Sequence, residues 1–385
     1  MTLTLIATQA GLQADLQADI KAEVRGRIGF ITLNRPKALN ALSLGMVRDL
    51  MRILTEWVSQ PSVLAVAVRG SNKEGVFGAF CAGGDIRFLH QAATENNPDL
   101  GAFFAEEYAL NYLIHNYPKP YIAFMDGIVM GGGMGISQGA SIRIVTERTK
   151  MAMPETLIGL FPDVGGGFFL SGCPGRVGEW LALTGHALGA DEALAFHLAD
   201  QFLPSERQAD VWDTLGRSDW GSEEALYAWL GKQFSRPPEL APLASLGGLN
   251  EQEFEAKLEP YFSLPTALAI IQALEASSDA WAQETAAQLR KRSPLMLEVV
   301  LQQIRRARAM TLAEDLRMEL DLVHHCFHLR PGQSETVEGI RALAVDKDHQ
   351  PRWNPSRVEE VDPGLVAAFF KSPWAEQAHP LASLA

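Results

Sequence analysis

The chain has 385 residues, 47% hydrophobic and 21% charged, an ordinary globular composition with length for one large or two modest domains. Its formal net charge of −13 repels phosphate backbones and argues against nucleic acid as a partner. No apolar run reaches the roughly 20 residues of a membrane span, and three cysteines without a CxxC, Cys81, Cys173 and Cys326, argue against a disulfide framework.

The first twenty residues carry Asp15 and Asp19 and no basic residue before Lys21. A secretory signal starts basic and a transit peptide is Arg-rich and acid-poor, so a cytoplasmic location is expected. Residues 27–33 (RIGFITL) read as a strand that stops at the turn Asn34-Arg35-Pro36. A helix follows to about Ser59, with Ser43 as its N-cap and apolar residues at helical spacing. Residues 63–68 (VLAVAV) form a continuous apolar run, as in a strand buried on both faces. Further strands are predicted at 121–125 and 142–145. Strands alternating with helices imply crossover connections and an α/β core.

From residue 206 the texture changes to Ala, Leu, Glu, Gln and Arg. It predicts helices near 208–217, 222–234, 250–258, 265–275, 278–291, 294–308 and 311–328. Pro237, Pro238, Pro242 and Gly247-Gly248 mark loops, and a short helix falls near 363–371. The expected organisation is a core over 20–205 and a mainly helical region over 206–385 that packs on it.

Three segments can carry chemistry. Phe80-Cys81-Ala82-Gly83-Gly84-Asp85 follows a strand, and its glycines permit positive φ and close backbone approach to a ligand. Taken alone it is a tight turn feeding a helix. Gly131-Gly132-Gly133-Met134-Gly135 also follows a strand and opens a helix, where unpaired N–H groups can hold a phosphate or an oxyanion. It fits neither GxGxxG nor the GxxxxGK[ST] loop, and close helix packing explains it equally well. In Met153-Pro154-Glu155 through Pro162-Asp163-Val164-Gly165, two carboxyls stand in an apolar, glycine-rich stretch. Apolar neighbours raise a carboxyl pKa, and nearby carboxylates push their values apart, which splits acid and base roles. The plain alternative makes Glu155 and Asp163 helix caps.

Other candidates are weaker. In His324-His325-Cys326-Phe327-His328 only His324 and His328 share a helix face, so no metal site is expected. Ser137 and Ser171 lie outside any GxSxG elbow. Cys81 reads as a small buried residue. Glu106-Glu107-Tyr108 reads as one helix turn, by itself a solvated acidic face.

These segments, in this order, resemble the crotonase (enoyl-CoA hydratase/isomerase) superfamily over about 25–205. The resemblance rests on Leu33-Asn34-Arg35-Pro36-Lys37-Ala38-Leu39-Asn40, Phe80 to Asp85, Gly127 to Gly135 and Met153-Pro154-Glu155. It implies a crotonase-type spiral of ββα units with a C-terminal helical region. It also implies a coenzyme A thioester as substrate, with no separate cofactor. The oxyanion hole would be the N–H groups of Ala82 and Gly132, with Gly131 and Gly133 beside the substrate. Lys37, Ala38, Leu39, Gly83, Gly84 and Asp85 would line the coenzyme groove. A homo-oligomer is also consistent with the resemblance.

Hydratases of that superfamily set two glutamates on one water. The second matches Glu155, and the first would sit at position 135, which is glycine. The string from Met153 to Gly167, Glu106-Glu107-Tyr108, and the segment from Glu338 to Trp353 are similar to the 3-hydroxyisobutyryl-CoA hydrolases. By that resemblance Asp163 partners Glu155 and Glu107 faces the acyl end. The implied reaction is hydrolysis of a short branched 3-hydroxyacyl-CoA, as in valine breakdown. Glu155 attacks the carbonyl or acts as base on water, and Asp163 orients or protonates. The rivals are a hydratase or isomerase reaction run from one glutamate, and a non-catalytic acyl-CoA-binding protein.

Overall fold

The computed structural model describes residues 19–234, 243 and 246–385. The loop assigned to Pro237, Pro238 and Pro242 lies outside these. A hairpin opens the fold: β1 (Ile20–Arg25) runs antiparallel to β2 (Ile28–Leu33). Helix α1 (Leu44–Val58) then crosses to β3 (Ala65–Gly70), parallel to β2. Ser43 caps α1 by accepting the Met46 N–H at 3.2 Å, as its hydroxyl after a turn predicts. Helices α2 (Ile86–Thr94) and α3 (Asp99–His115) lead to β4 (Tyr121–Met125). Short β5 (Ile128–Met130), helix α4 (Gly132–Gln138), β6 (Ile142–Val145) and β7 (Lys150–Ala152) follow.

A 3-10 turn (Glu155–Ile158) precedes α5 (Gly166–Ser171), α6 (Val177–Thr184), α7 (Ala190–Ala195) and β8 (Gln201–Phe202). The main sheet has the order β1-β2-β3-β4-β6-β8, parallel from β2 onward, while β5 and β7 pair in a sheet of their own. Every residue of β2 and β4 is buried, as continuous apolar runs require in a parallel sheet covered on both faces.

The two faces alternate with period two. Ile28, Phe30, Ala65, Ala67, Ile122, Phe124 and Ile144 point to one side. They meet α8 (Gln208–Arg217) and α9 (Glu223–Leu230) through Trp212, Leu215, Leu226 and Leu230. The other side carries Ile31, Leu33, Val66, Val68, Ala123 and Met125 and belongs to the larger core with α1 and α3.

The remaining chain is helical: α10 (Glu251–Phe262), α11 (Ala267–Ala276), α12 (Ala280–Leu289), α13 (Pro294–Ala307), α14 (Leu312–His328), α15 (Glu335–Ile340) and α16 (Pro363–Phe369). A π-helical turn (Arg341–Val345) follows α15. Helices α13 and α14 pack on α5, and their apolar residues join the same core as α1 and α3. His324 meets Trp374 edge-on, and the His325 ring pairs with the Lys371 carbonyl, so the histidine-rich turn of α14 docks the C-terminal segment. No helix among the described residues is long and apolar enough to cross a membrane.

Trp212 sits in a ring cluster with Phe30, Phe77 and Phe124, their centroids 4.7 to 5.9 Å away. Trp212→Ala is expected to cost about 3–5 kcal/mol of stability, measured by urea unfolding, because it empties the contact between α8 and the sheet.

Candidate active site

The three glycine-rich segments converge on one cavity of about 230 Å³. Its wall includes Ala82, Gly83 and Gly84, then Gly131 and Gly132 at the start of α4. It also includes Glu107 from α3, Glu155 from the 3-10 turn, and Asp163 with Val164 from the loop before α5. Phe103, Phe104, Met130, Leu157, Ile158, Leu160 and Leu343 make the rest apolar, and no Lys, Arg or His lines it.

The glycines are where side chains would collide with the carboxyls. A Cβ on Gly131 would lie 2.9 Å from Glu155 Oε1, and one on Gly132 would lie 2.5 Å from Glu107 Oε1. Thus Glu155 and Glu107 each press against the backbone of the Gly131-Gly132 turn.

Position 135 is closely packed. A Cβ on Gly135 would lie 2.7 Å from Val164 Cβ and 2.9 Å from Asn111 Nδ2. The space where a side chain at this position would stand is occupied. Val164 reaches it with φ of 59°, and Gly165 follows at 85°. A β-branched residue in the left-handed region is held there by its surroundings.

The three pocket carboxyls are buried: Glu107 is 2%, Glu155 7% and Asp163 6% exposed. Glu107 Oε1 and Glu155 Oε2 have no hydrogen-bond partner. Burial, with the Asp163 charge adding to it, holds the carboxyls of Glu155 and Glu107 well above the usual range. Burial also lifts Asp163, to about 6, against the Tyr108 hydroxyl, which donates to Asp163 Oδ2 at 2.9 Å. Of the three, Asp163 is the easiest to ionise.

Several expected site residues stand elsewhere. The Ala82 N–H donates to the Leu39 carbonyl at 3.0 Å, so it is not free for an oxyanion, although Ala82 lines the cavity. Two residues on, Leu42 N–H meets the Gly83 carbonyl and Asp85 N–H meets the Leu42 carbonyl, at 2.8 and 3.0 Å. That pairing turns the Gly84 N–H away from Leu42, and it has no acceptor among the described residues. Gly132, the first residue of α4, likewise has an unpaired N–H.

Gly133 lies outside the cavity. Its Cβ would strike the Cys81 carbonyl at 2.3 Å, so this glycine serves close packing of α4 on the Cys81 segment. Asp85 is also outside it: its carboxylate caps α2 at Phe88 N–H and pairs with Arg35 at 2.8 Å. Lys37, Ala38 and Leu39 do not line the cavity either. They form a turn behind Ala82, joined to it by the Leu39 carbonyl. Asp163 does not use its side chain as a helix cap; Gly165 takes the N-cap position of α5. Cys81 is buried, and its thiol is pushed up to about 12, which removes it as a nucleophile.

Sequence reasoning gave no role to several supporting residues. Asn40, with φ of 57°, donates to the carbonyls of Ser71, Ala79 and Phe80 and so holds the 34–41 turn against the Ala82 segment. Glu106 pairs with Arg48 on the surface while its neighbours Glu107 and Tyr108 turn inward. Gln303, Asp315 and Glu319 support the Asp163 loop from α13 and α14. The signal for the last two is an i, i+4 acid pair among apolar residues on one helical face.

This parallel sheet, with two backbone turns facing buried carboxyls, defines an acyl-CoA-transforming crotonase-type protein, and the chain belongs to the enoyl-CoA hydratase/isomerase family, matched over residues 28–370. Among curated proteins it is 37% identical to the mitochondrial 3-hydroxyisobutyryl-CoA hydrolase of Xenopus tropicalis, over 90% of this chain and 87% of that one. It is also 37% identical to 3-hydroxyisobutyryl-CoA hydrolase 1 of Arabidopsis thaliana, over 90% of each chain. The fold matches the crystal structure of a carnitinyl-CoA dehydratase from Mycobacterium thermoresistibile with a TM-score of 0.83, at 34% identity over 96% of this chain and 99% of that one. An enoyl-CoA hydratase from Rhodobacter sphaeroides matches with a TM-score of 0.80, at 35% identity over 94% and 99%.

Two outcomes are expected. Gly135→Glu should destabilise the fold by about 1–3 kcal/mol or more through overpacking and should not confer loss of enoyl-CoA absorbance; unfolding curves and that absorbance read both. Asp163→Asn should stabilise the protein. The folded carboxyl holds its proton to about pH 6 and the unfolded one only to its ordinary value of 3.8. Stability is therefore lost as pH rises between those values and stays lost above them. The asparagine variant should be more stable by roughly 2–3 kcal/mol above that window, with the gain vanishing toward about pH 4, as read by denaturant midpoints across pH.

Proposed function

We propose that this protein hydrolyses 3-hydroxyisobutyryl-CoA to 3-hydroxyisobutyrate and free coenzyme A. The observation that carries the reading is the filled space at Gly135. With Val164 and Asn111 there, the cavity cannot set a second glutamate on the water that Glu155 would address, and Asp163 supplies the partner carboxyl instead. The names of the frog and plant relatives support the substrate. A cavity of about 230 Å³ has room for a short acyl end.

In this reading the N–H groups of Gly84 and Gly132 hold the oxyanion as water adds to the thioester carbonyl. Such a donor typically contributes about 3–4 kcal/mol to lowering the barrier. Hydrolysis needs one carboxylate to take the proton of the attacking water and one acid to protonate the departing thiolate. A buried pair whose pKa values are pushed apart supplies one of each near neutral pH. Glu107, protonated and facing Gly132, is placed to hydrogen-bond the acyl hydroxyl.

A second reading, hydration or dehydration of an acyl-CoA, is favoured by the names of the two solved structures. One assay separates them. The hydrolase reading expects free thiol from 3-hydroxyisobutyryl-CoA, no hydration of crotonyl-CoA, and loss of turnover by about 10²-fold or more in Glu155→Gln with binding retained. Crotonyl-CoA losing its conjugated absorbance without thiol release would favour the second reading. We keep a cytoplasmic location as part of the proposal; the frog relative is named mitochondrial, and fractionation of the source cells against a compartment marker tests it.

A further inference from the structure

The loop that carries Asp163 has no regular structure of its own, yet its backbone is fixed on both sides of that residue. From α14, Glu319 Oε2 accepts the Gly165 N–H at 2.7 Å and its Oε1 accepts the Gly167 N–H at 2.9 Å. Asp315 Oδ2 accepts the Phe168 N–H at 2.8 Å. From α13, Gln303 Nε2 donates to the Pro162 carbonyl at 2.6 Å and to Glu319 Oε1 at 3.2 Å. All three side chains are fully buried. No basic side chain pairs with either acid among the described residues. Glu319 feels the charges of Asp315 and Asp163, Asp315 shares a side-chain hydrogen bond with Glu319, and Tyr108 from α3 feels the Glu319 charge as well.

Burying two acids together without a cation is expensive, and packing alone would be served better by leucine. What the acids do is accept the N–H groups of Gly165, Gly167 and Phe168, where the left-handed Val164-Gly165 turn enters α5. That turn puts Val164 into the space at Gly135 and Asp163 into the cavity.

We propose that Glu319 is a positioning residue for Asp163: seated behind the cavity, and seconded by Asp315 and Gln303, it fixes the Val164-Gly165 turn and thereby holds the Asp163 carboxyl in its dry place opposite Glu155. The inference rests on the hydrolase reading of the Glu155–Asp163 pair. Glu319 touches no substrate; it acts through the backbone of residues 162–168. Weakening it lets water reach Asp163, and that solvation makes its carboxyl easier to ionise.

The test compares the full chain with Glu319→Gln, Asp315→Asn and Asp163→Asn, by thiol release from 3-hydroxyisobutyryl-CoA between about pH 5 and pH 9. Glu319→Gln is expected to lower kcat about tenfold or more, to leave KM within about threefold, and to move the acid limb down by about half a pH unit or more. Asp315→Asn should do the same more weakly. A variant that only loses folded protein scales the rate alike at every pH, so a fall in kcat with an unmoved limb counts against the proposal. Wild-type kcat and limb in Glu319→Gln, beside an inactive Asp163→Asn, overturn this inference alone. An active Asp163→Asn overturns the hydrolase reading itself. If Glu319→Gln does not fold, Gln303→Met, which releases Pro162 and one Glu319 contact without touching a charge, must show the same loss and shift; an unchanged profile there overturns the proposal.

Discussion

Three carboxyl groups share one apolar cavity without a basic side chain among its lining residues, and much of the surrounding structure answers to that constraint. Charge buried without a counter-charge is held off by protonation or by backbone and hydroxyl donors. Here the Tyr108 hydroxyl makes Asp163 the easiest of the three to ionise. Glu155 and Glu107 lie against a glycine turn that offers them no partner. The site thus holds carboxyls of unequal acidity, which is the arrangement that splits base and acid roles.

The same constraint explains the glycines. At Gly131 and Gly132 a side chain would displace the carboxyls; at Gly133 it would push α4 off the Cys81 segment. Gly135 is different in kind: its missing side chain is replaced by Val164 from another loop. In the proposed reading, hydrolysis rather than hydration follows from which group fills that small volume beside the cavity.

Much of the scaffold was legible in the sequence because its signals are local. The strands at 121–125 and 142–145 fell where they were expected, the apolar run at 63–68 lies two residues before the strand it signals, and the helices from 208 onward fell near their expected positions. Strands β5, β7 and β8 were not legible, being two or three residues long and defined by a partner rather than by pattern. The meeting of the glycine turns with Glu155 and Asp163 was also foreseen. What was not foreseen depends on hydrogen-bond direction or on distant chain. Ala82 and Gly84 are two residues apart, and only the Leu39 carbonyl shows which N–H is spent. Asp85 reads as a ligand-facing acid until Arg35 and the start of α2 claim it. Glu319 lies 154 residues from the Gly165 N–H that it accepts, a separation that no local pattern spans.

The account stands on the unequal ionisation of the pocket acids, and that can be observed directly. Infrared difference spectra of the ligand-free protein, titrated through the carboxyl range and compared with spectra of Asp163→Asn and Glu155→Gln, assign each band to its residue. The account predicts an Asp163 carboxylate band that appears at about pH 6, while the Glu155 band remains that of a protonated acid at that pH. An Asp163 that is already ionised near pH 4, or a Glu155 that ionises first, would contradict it.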